Sequence, residues 1–218
     1  MYKFIVFTLF KTVYTFGNPP YQFDPRIHTL GNVGLGGHFH AAIAPFFTWF
    51  IDHAAYSGTD LRTLIKNEYA APTGTLDLCS GTGYSSTDFG ISVDTSKPML
   101  RMAKLLHSKT RSAVLANAED VYIPRDIVTC MFGLHEIPRE GRFKVIKNAI
   151  RNANKRVVFV DIHETYKPSK HMLMGEPYLF DYLSNTKIDM VGICSELKKK
   201  LKYEEVIPGH VQAWIIEN

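Results

Sequence analysis

The chain has 218 residues, of which 45% are hydrophobic and 21% are charged, a composition typical of one folded domain and not of a disordered chain. The formal net charge of +4 is small and comes with no sustained basic stripe, so we do not expect nucleic-acid binding. The 3 cysteines are scattered and form no CxxC or zinc spacing, which favours a reducing compartment and a cytoplasmic location.

The first residues allow two interpretations. An apolar stretch, residues 4–10, follows Lys3 and resembles the core of a short signal peptide. Lys11 interrupts it, no small-residue cleavage site follows, and the stretch is too short to span a bilayer. The sequence leaves open whether residues 1–16 are a targeting segment or a part of the fold.

Two helices are predicted in the N-terminal third. Residues 21–40 are rich in glycine, histidine and asparagine, and we expect an irregular loop there. The apolar spacing of residues 39–55 predicts a helix that starts or kinks at Pro45. A second helix is predicted at residues 61–69, opened by Asp60.

A breaker cluster at residues 70–74 divides the chain. We expect residues 1–73 to be a helical segment without an independent core, and residues 74–218 to form the main domain.

The most informative stretch is a buried strand that leads into a glycine loop. Residues 75–79 are β-branched and leucine-rich, which is typical of a central strand. Gly81 and Gly83 follow, and their missing side chains let the backbone lie close to a ligand. Asp94 then ends a second apolar run at residues 89–93. A glycine loop after one strand and a carboxylate after the next are how doubly wound folds hold a ribose.

These motifs resemble a known family. Asp77-Leu78-Cys79-Ser80-Gly81-Thr82-Gly83, Val93-Asp94-Thr95-Ser96 and Met99-Leu100 are similar to the first two motifs of class I S-adenosylmethionine-dependent methyltransferases. The resemblance implies an α/β fold: a Rossmann-like, doubly wound and mainly parallel seven-stranded sheet that ends in an antiparallel hairpin. It also implies S-adenosylmethionine as the cofactor and an N-terminal helical lid, in which Tyr21, Arg26 and His28 are candidates for contact with the substrate.

The region after the first strand departs from the family pattern. Members of the family have a full helix between the first two strands, whereas only residues 84–88 lie there in this chain, enough for about one turn. We therefore expect one flank of the sheet to be less covered and the N-terminal helices to fill the gap.

The rest of the chain alternates helices and strands. A helix capped by Ser96 is predicted after the second strand, and a lysine-rich run at residues 196–202 is interpreted as a solvated helix end. The other predicted elements are strands at residues 113–116, 126–132 and 156–161, a helix at residues 139–152, a helical region at residues 168–200 broken near Gly175 and Gly192, and a hairpin of residues 203–207 and 211–216.

The resemblance also implies which residues contact the cofactor. Family members place an acid after the third strand that accepts from the adenine amino group. Asn117 and Glu119 both lie near this place, and an Asn oxygen can accept the same hydrogen bond. The implied cofactor-binding set is Asp77, Cys79, Ser80, Gly81, Thr82, Gly83, Asp94, Thr95, Met99, Asn117, Ala118, Glu119, Phe132 and Gly133.

Polar residues after the fourth and fifth strands are candidates for the acceptor side. Doubly wound folds bind ligands at the carboxyl ends of their strands, and histidine exchanges a proton near neutral pH. His135 is the first candidate for the catalytic base, with Glu136 and His163 as the others. Further candidates for the substrate cavity are Asp161, Glu164 and Tyr166. No cluster has a compelling metal-ligand spacing, and we expect no metal.

The hypothesis with most support is a methyltransferase that acts on a small molecule by in-line displacement. A methyltransferase for protein or nucleic acid and a cofactor-binding protein without catalysis are the alternatives. A nicotinamide enzyme is disfavoured because Ser86 stands where the third glycine of its motif belongs. The sequence does not identify the acceptor or the oligomeric state.

Overall fold

The structure is a computed structural model and describes residues 32, 34–70, 74–107 and 112–218. The predicted lid residues Tyr21, Arg26 and His28 lie outside this range, as do residues 1–16.

A seven-stranded sheet forms the centre of the molecule. Its strands are β1 Thr75–Leu78, β2 Ile91–Asp94, β3 Ser112–Leu115, β4 Arg125–Met131, β5 Ala153–Ile162, β6 Lys200–Ile207 and β7 Val211–Glu217. The order across the sheet is β3-β2-β1-β4-β5-β7-β6. The first five strands are parallel, and β7 pairs antiparallel with both β5 and β6. The predicted Rossmann-like sheet with a terminal hairpin is confirmed, and the strand order reverses between β1 and β4, where such folds bind ligands.

The helices that the structure describes are α1 Gly34–Ala55, α2 Leu61–Tyr69, α3 Lys97–His107, α4 Arg139–Asn152, α5 Lys170–Gly175 and α6 Leu179–Glu196. Two of them, α2 and α4, have the predicted bounds. Asp60 caps α2 by accepting from the backbone N–H of Thr63 at 3.0 Å. The hydroxyl of Ser96 accepts from the N–H of Met99 at 3.3 Å, as its predicted capping role requires.

Three predictions about the bounds of secondary structure are wrong, and contacts in the folded chain bear on each. The first turn of α1 lies within the predicted loop, where Gly37 is so close to Asn32 that a Cβ would lie 2.5 Å from the Asn32 carbonyl carbon. The predicted break at Gly192 is absent because Met190 and Ile193 bury α6 on the sheet, which outweighs the ~1 kcal/mol that a helical glycine costs.

The third wrong prediction concerns the lysine-rich run. The helix ends at Glu196, and Lys198 adopts the left-handed conformation that commonly terminates helices, with φ +53°. Lys200 then begins β6 instead of extending a helix end, because its strand pairs with β7. Strand pairing is a non-local interaction that the local charge pattern does not reveal.

One side of the sheet, which we call the apolar side, is covered by α4 and α6. Side chains of β1, β4 and β5 that point to this side alternate with those that point away. The buried residues that meet here include Leu76, Leu78, Val128, Cys130, Phe159, Ile146, Met190 and Ile193.

On the opposite side of the sheet, no helix connects β1 to β2, as the short spacing predicts. Residues 84–88 cover Asp77 of β1 with hydroxyl groups instead. The Asp77 carboxylate accepts from Ser85 at 2.7 Å, Ser86 at 2.6 Å and Thr129 at 2.8 Å, and the hydroxyls of Ser86 and Ser92 lie 2.7 Å apart. We call these five residues the Asp77 cluster, and all of them are buried.

Further along the same side, α2 packs on β4, β5 and β7. Its buried residues Leu61 and Ile65 contact Val158 and Ala213, among others. The N-terminal helices thus cover this side beside the Asp77 cluster, and α1 packs against α3.

Candidate functional site

A cavity of about 760 Å³ opens at the carboxyl ends of the parallel strands. The loops after β1, β2, β3 and β4 form one wall. One face of α1 forms the opposite wall, because its residues recur at helical spacing. On α1 these residues are His40, Ala44, Phe47, Thr48, Ile51 and Ala55.

The glycine loop after β1 is tied to the end of β2 through Asp94. The Asp94 carboxylate accepts from the N–H of Gly81 at 2.8 Å and from the N–H of Ser96 at 2.7 Å. Burial raises the pKa of Asp94 to about 6, although both hydrogen bonds oppose this. A carboxylate has about four acceptor positions, so Asp94 keeps capacity for hydroxyl donors on its cavity side.

Backbone strain concentrates in this wall. Cys79 has φ +54° and Phe132 has φ +56°, values that are uncommon outside glycine and tend to cluster at functional sites. Gly133 packs on Cys79 so closely that a Cβ would lie 2.7 Å from the Cys79 Cβ. Position 133 therefore has no room for a side chain while Cys79 is present.

The predicted cofactor-binding residues divide into two groups. Ten of them line the cavity, from the ends of the first four strands: Cys79, Ser80, Gly81, Thr82, Asp94, Thr95, Asn117, Ala118, Phe132 and Gly133. Met99 of α3 lines it too. The other three lie behind the wall: Asp77 in its cluster, Gly83 against Ala103 of α3, and Glu119.

The turn after β3 separates the two candidates for adenine recognition. Asn117 lies in the cavity wall, and its side-chain oxygen accepts from the N–H of Glu119 at 3.0 Å. The Glu119 side chain is buried away from the cavity, with an oxygen 3.5 Å from the Lys144 ammonium. Burial raises the Glu119 pKa above its ordinary value. Of the two, Asn117 is the residue that a ligand in the cavity can reach.

The histidine after β4 forms a buried pair with Asp161. The Nδ1 atom of His135 lies 2.6 Å from an Asp161 carboxylate oxygen, and the other oxygen accepts from the N–H groups of Leu134 and His135. Burial disfavours the charged imidazole, but the charge and hydrogen bond of Asp161 outweigh it and raise the His135 pKa to about 9. His135 and Glu136 both line the cavity, whereas Asp161 lies behind His135.

His163, at the end of β5, lies in a different environment. Its Nδ1 accepts from the N–H of Thr165 at 3.1 Å, and its Nε2 lies 2.6 Å from the Tyr203 hydroxyl. Both ring nitrogens are therefore occupied, and His163 does not line the cavity. The neighbouring Glu164 is paired with Lys187 at 2.5 Å and also lies outside it, whereas Tyr166 lines it.

Several residues of the cavity were not expected from the sequence. Besides the α1 face they include Tyr56, Arg62, Glu176 and His210. The helical spacing on α1 is visible in the sequence, but an apolar face alone does not show whether a helix turns toward a core or toward a ligand. In the sequence, Arg62 cannot be told apart from an exposed cation on the polar face of an amphipathic helix.

Among the described residues, no helix is long and apolar enough to cross a membrane. The same part of the chain has no group of three His, Cys, Asp or Glu side chains placed to hold a metal ion.

The fold is the one that solved S-adenosylmethionine-dependent methyltransferases share. Magnesium protoporphyrin IX methyltransferase from Synechocystis PCC 6803, solved with SAH bound, is similar over 98% of this chain and 94% of its own, with 11% identity and a TM-score of 0.53. DhpI in complex with SAH is similar over 81% of this chain and 92% of its own, with 18% identity and a TM-score of 0.56.

The plantazolicin methyltransferase BpumL, in complex with a monoazolic desmethylPZN analog and SAH, matches 84% of this chain and 88% of its own, with 13% identity and a TM-score of 0.53. At identities this low, what these similarities establish is the shared fold. No protein-family model matches the sequence, and no curated protein matches it.

Proposed function

We propose that the protein is an S-adenosylmethionine-dependent methyltransferase that acts on a small-molecule acceptor. The observation that carries the proposal is the convergence of four strand ends on one cavity. Residues predicted to bind the cofactor follow β1, β2, β3 and β4, and residues from all four strand ends line the same space. The solved structures of similar fold that contain SAH support the same ligand.

The residues present fit this cofactor. Asp94 has spare acceptor positions beside the glycine loop, as ribose hydroxyls require. Ser80 lies in the wall of the cavity, and its buried hydroxyl has no hydrogen-bond partner among the described residues. Buried polar groups are normally paired, so a polar ligand suits this position. The carboxyl groups of Asp94, Glu136 and Glu176 around the cavity suit a cation.

The bound cofactor would supply an already activated methyl group on its sulfonium. The protein then has to exclude water, hold the acceptor in line and receive any proton that the acceptor loses. We assign residues 34–70 to the exclusion of water as a lid, because one face of α1 closes the cavity opposite the strand ends.

We assign the proton to His135. With a pKa of about 9, this imidazole is charged at neutral pH when the cavity holds no cation. His135 gives up its proton more readily once a second positive charge lies in the same cavity, since like charges disfavour one another. The neutral Nε2 can then accept a proton from the acceptor, and Asp161 stabilises the imidazolium that forms.

The cavity favours a small acceptor. Its volume is within the range of small-molecule sites, and the apolar residues Phe47 and Ile51 of α1 face it. An apolar wall suits a compact acceptor better than a nucleic-acid strand, whose recognition depends on exposed cationic surface.

Two measurements test the proposal. Isothermal titration calorimetry with SAH should show binding to the wild type and at least a tenfold loss in Asp94→Ala, because the variant lacks both the loop anchor and the hydroxyl acceptor. Incubation with methyl-labelled cofactor and a metabolite extract should then place label in a small-molecule fraction. Absence of SAH binding would contradict the whole proposal, and label found only in macromolecules would contradict the small acceptor.

A further inference from the structure

Arg62 is a partly buried cation in the wall of the cavity. It lies in the first turn of α2, and its side chain is 20% exposed. The guanidinium lies over the Phe132 ring, 4.8 Å from its centroid, at the end of β4. Arg62 therefore lies beside Phe132, a residue that the sequence predicts to bind the cofactor. Residues of α1, of α2 and of the strand ends line this cavity together.

The guanidinium of Arg62 makes no hydrogen bond with any residue that the structure describes. Its nearest carboxylate oxygen is Oδ1 of Asp52 at 3.9 Å, which is too long for a hydrogen bond. That Asp52 oxygen is itself buried without a hydrogen-bond partner. Burial also lowers the pKa of Arg62 from its ordinary value, so its surroundings only partly compensate the charge.

Two other arginines of the same chain show how a guanidinium pairs with a carboxylate. Arg139 donates to both carboxylate oxygens of Asp189, at 2.9 and 2.7 Å. Arg142 is buried more deeply, and it donates to the Ile137 carbonyl and to Asp181, while its Nε has no hydrogen-bond partner among the described residues. A buried charge is normally paired in this way because leaving it unpaired is expensive. Arg62 has a carboxylate at ion-pair distance but no hydrogen-bonded partner among the described residues, and it is the one of the three that faces the cavity.

The donors at this position match one chemical group. A guanidinium presents a planar fork of N–H donors and no acceptor, which fits the two oxygens of a carboxylate. Tyr56 also lines the cavity and interacts electrostatically with Arg62, and burial raises its pKa to about 12, so its hydroxyl remains a neutral donor at physiological pH. A ligand group here meets donors from both side chains, as an acceptor-only carboxylate requires.

We infer that Arg62, with Tyr56 beside it, forms a carboxylate-binding subsite in the cavity. The inference rests on the proposed function, which supplies two possible sources of the carboxylate: the amino-acid end of the cofactor, or the methyl acceptor. In both cases Arg62 fixes the orientation of the ligand against the strand ends.

The first arm of the test uses the cofactor. Calorimetry compares SAH with its decarboxylated analogue for the wild type, Arg62→Met and the control Arg101→Met, which removes an exposed cation of α3. If the cofactor is the source, the wild type binds SAH at least tenfold more tightly than the analogue, and Arg62→Met loses this preference while Arg101→Met keeps it. The ratio is measured within one variant, so a partly unfolded sample does not imitate the result.

The second arm uses a simple carboxylate. Benzoate and its uncharged counterpart benzamide are titrated into each protein with and without saturating SAH. If the acceptor is the source, the SAH complex prefers benzoate by about tenfold, and only Arg62→Met loses that preference, with the SAH ratio of the first arm unchanged. Arg62→Lys should restore part of either preference, because it keeps the charge but not the planar fork.

The inference is overturned if both ratios are the same in Arg62→Met as in the wild type. Failure of the proposed function gives a different result, in which the wild type binds neither SAH nor its analogue. In that case the benzoate titration without SAH still tests Arg62: a preference that depends on Arg62 supports the subsite, and its absence overturns it.

Discussion

The two sides of the sheet are covered by different kinds of interaction. On the apolar side, α4 and α6 bury hydrophobic side chains against β1, β4 and β5. On the other side, no helix connects β1 to β2, and residues 84–88 pack down through hydrogen bonds to Asp77 and its neighbours. A short hydroxyl-rich segment has thus taken the place that a helix has in the family pattern.

The difference between the two sides has consequences for stability. Apolar contacts are non-directional, so a core of this kind tolerates hydrophobic changes that keep its volume. A buried hydrogen-bonded cluster stabilises little in net terms, but each group left without a partner costs about 1–3 kcal/mol. We therefore expect the Asp77 cluster to tolerate less chemical change than the apolar side, although both sides are equally buried.

The largest expected effect comes from Asp77→Leu. This change adds apolar volume to a buried position, but it removes the acceptor of three hydroxyl groups. We expect a loss of about 3–5 kcal/mol in the free energy of unfolding, measured by urea denaturation. Asp77→Asn keeps one side-chain oxygen as an acceptor and should cost about half as much.

A matched change on the apolar side completes this test. Leu78→Ala leaves a cavity between the sheet and its helices, and we expect it to cost about 2–5 kcal/mol. The contrast between the sides would fail if Asp77→Leu were neutral or stabilising, because apolar burial would then suffice on both.

The pH dependence of stability should reveal a charged pair beside the apolar side. His135 and Asp161 form this pair, and it lies next to Tyr182. The folded-state pKa of His135 is about 9 and its ordinary value is 6.5, so the folded protein binds the proton more tightly. The resulting stabilisation is complete below pH 6.5 and disappears as the pH rises through 9. We expect the free energy of unfolding to fall by roughly 2 to 3 kcal/mol between pH 7 and pH 10.

Urea denaturation at several pH values measures this fall. Asp94 does not contribute over that window, because its pKa of about 6 leaves it already ionised. His135→Asn supplies the control, since the amide can donate to Asp161 but does not titrate. If this variant showed the same fall as the wild type, another group would have to carry the pH dependence.

Much of the fold could be predicted because its signals are local. The apolar runs gave the seven strands, the Pro208-Gly209 turn gave the hairpin, and the spacing of apolar residues gave α2 and α4 with their bounds. The residues next to the glycine loop and Asp94 could be placed at one cavity for the same reason, since the carboxyl ends of parallel strands lie at one edge of the sheet.

The remaining features depend on contacts between distant parts of the chain. His135 and His163 follow neighbouring strands in the same way, and only the position of Tyr203 on β6 shows that the ring of His163 is occupied away from the cavity. Arg62 is similar, because the absence of a hydrogen-bond partner among the described residues is a property of the folded protein and not of its helix pattern.

The smallest change in stability is expected from the packing of Gly133 against Cys79 in the cavity wall. Gly133→Ala places a Cβ 2.7 Å from the Cβ of Cys79 and 3.2 Å from the sulfur of Cys130. We expect this overpacking to lower the free energy of unfolding by about 1–3 kcal/mol, measured by urea denaturation.

Cys79→Gly alone should change the free energy of unfolding by less than about 1 kcal/mol, since relief of its positive φ offsets the added chain entropy. The double variant should regain most of the loss, because the clashing Cβ is gone. If the two changes were instead simply additive, the contact between positions 79 and 133 would not be the reason that Gly133 lacks a side chain.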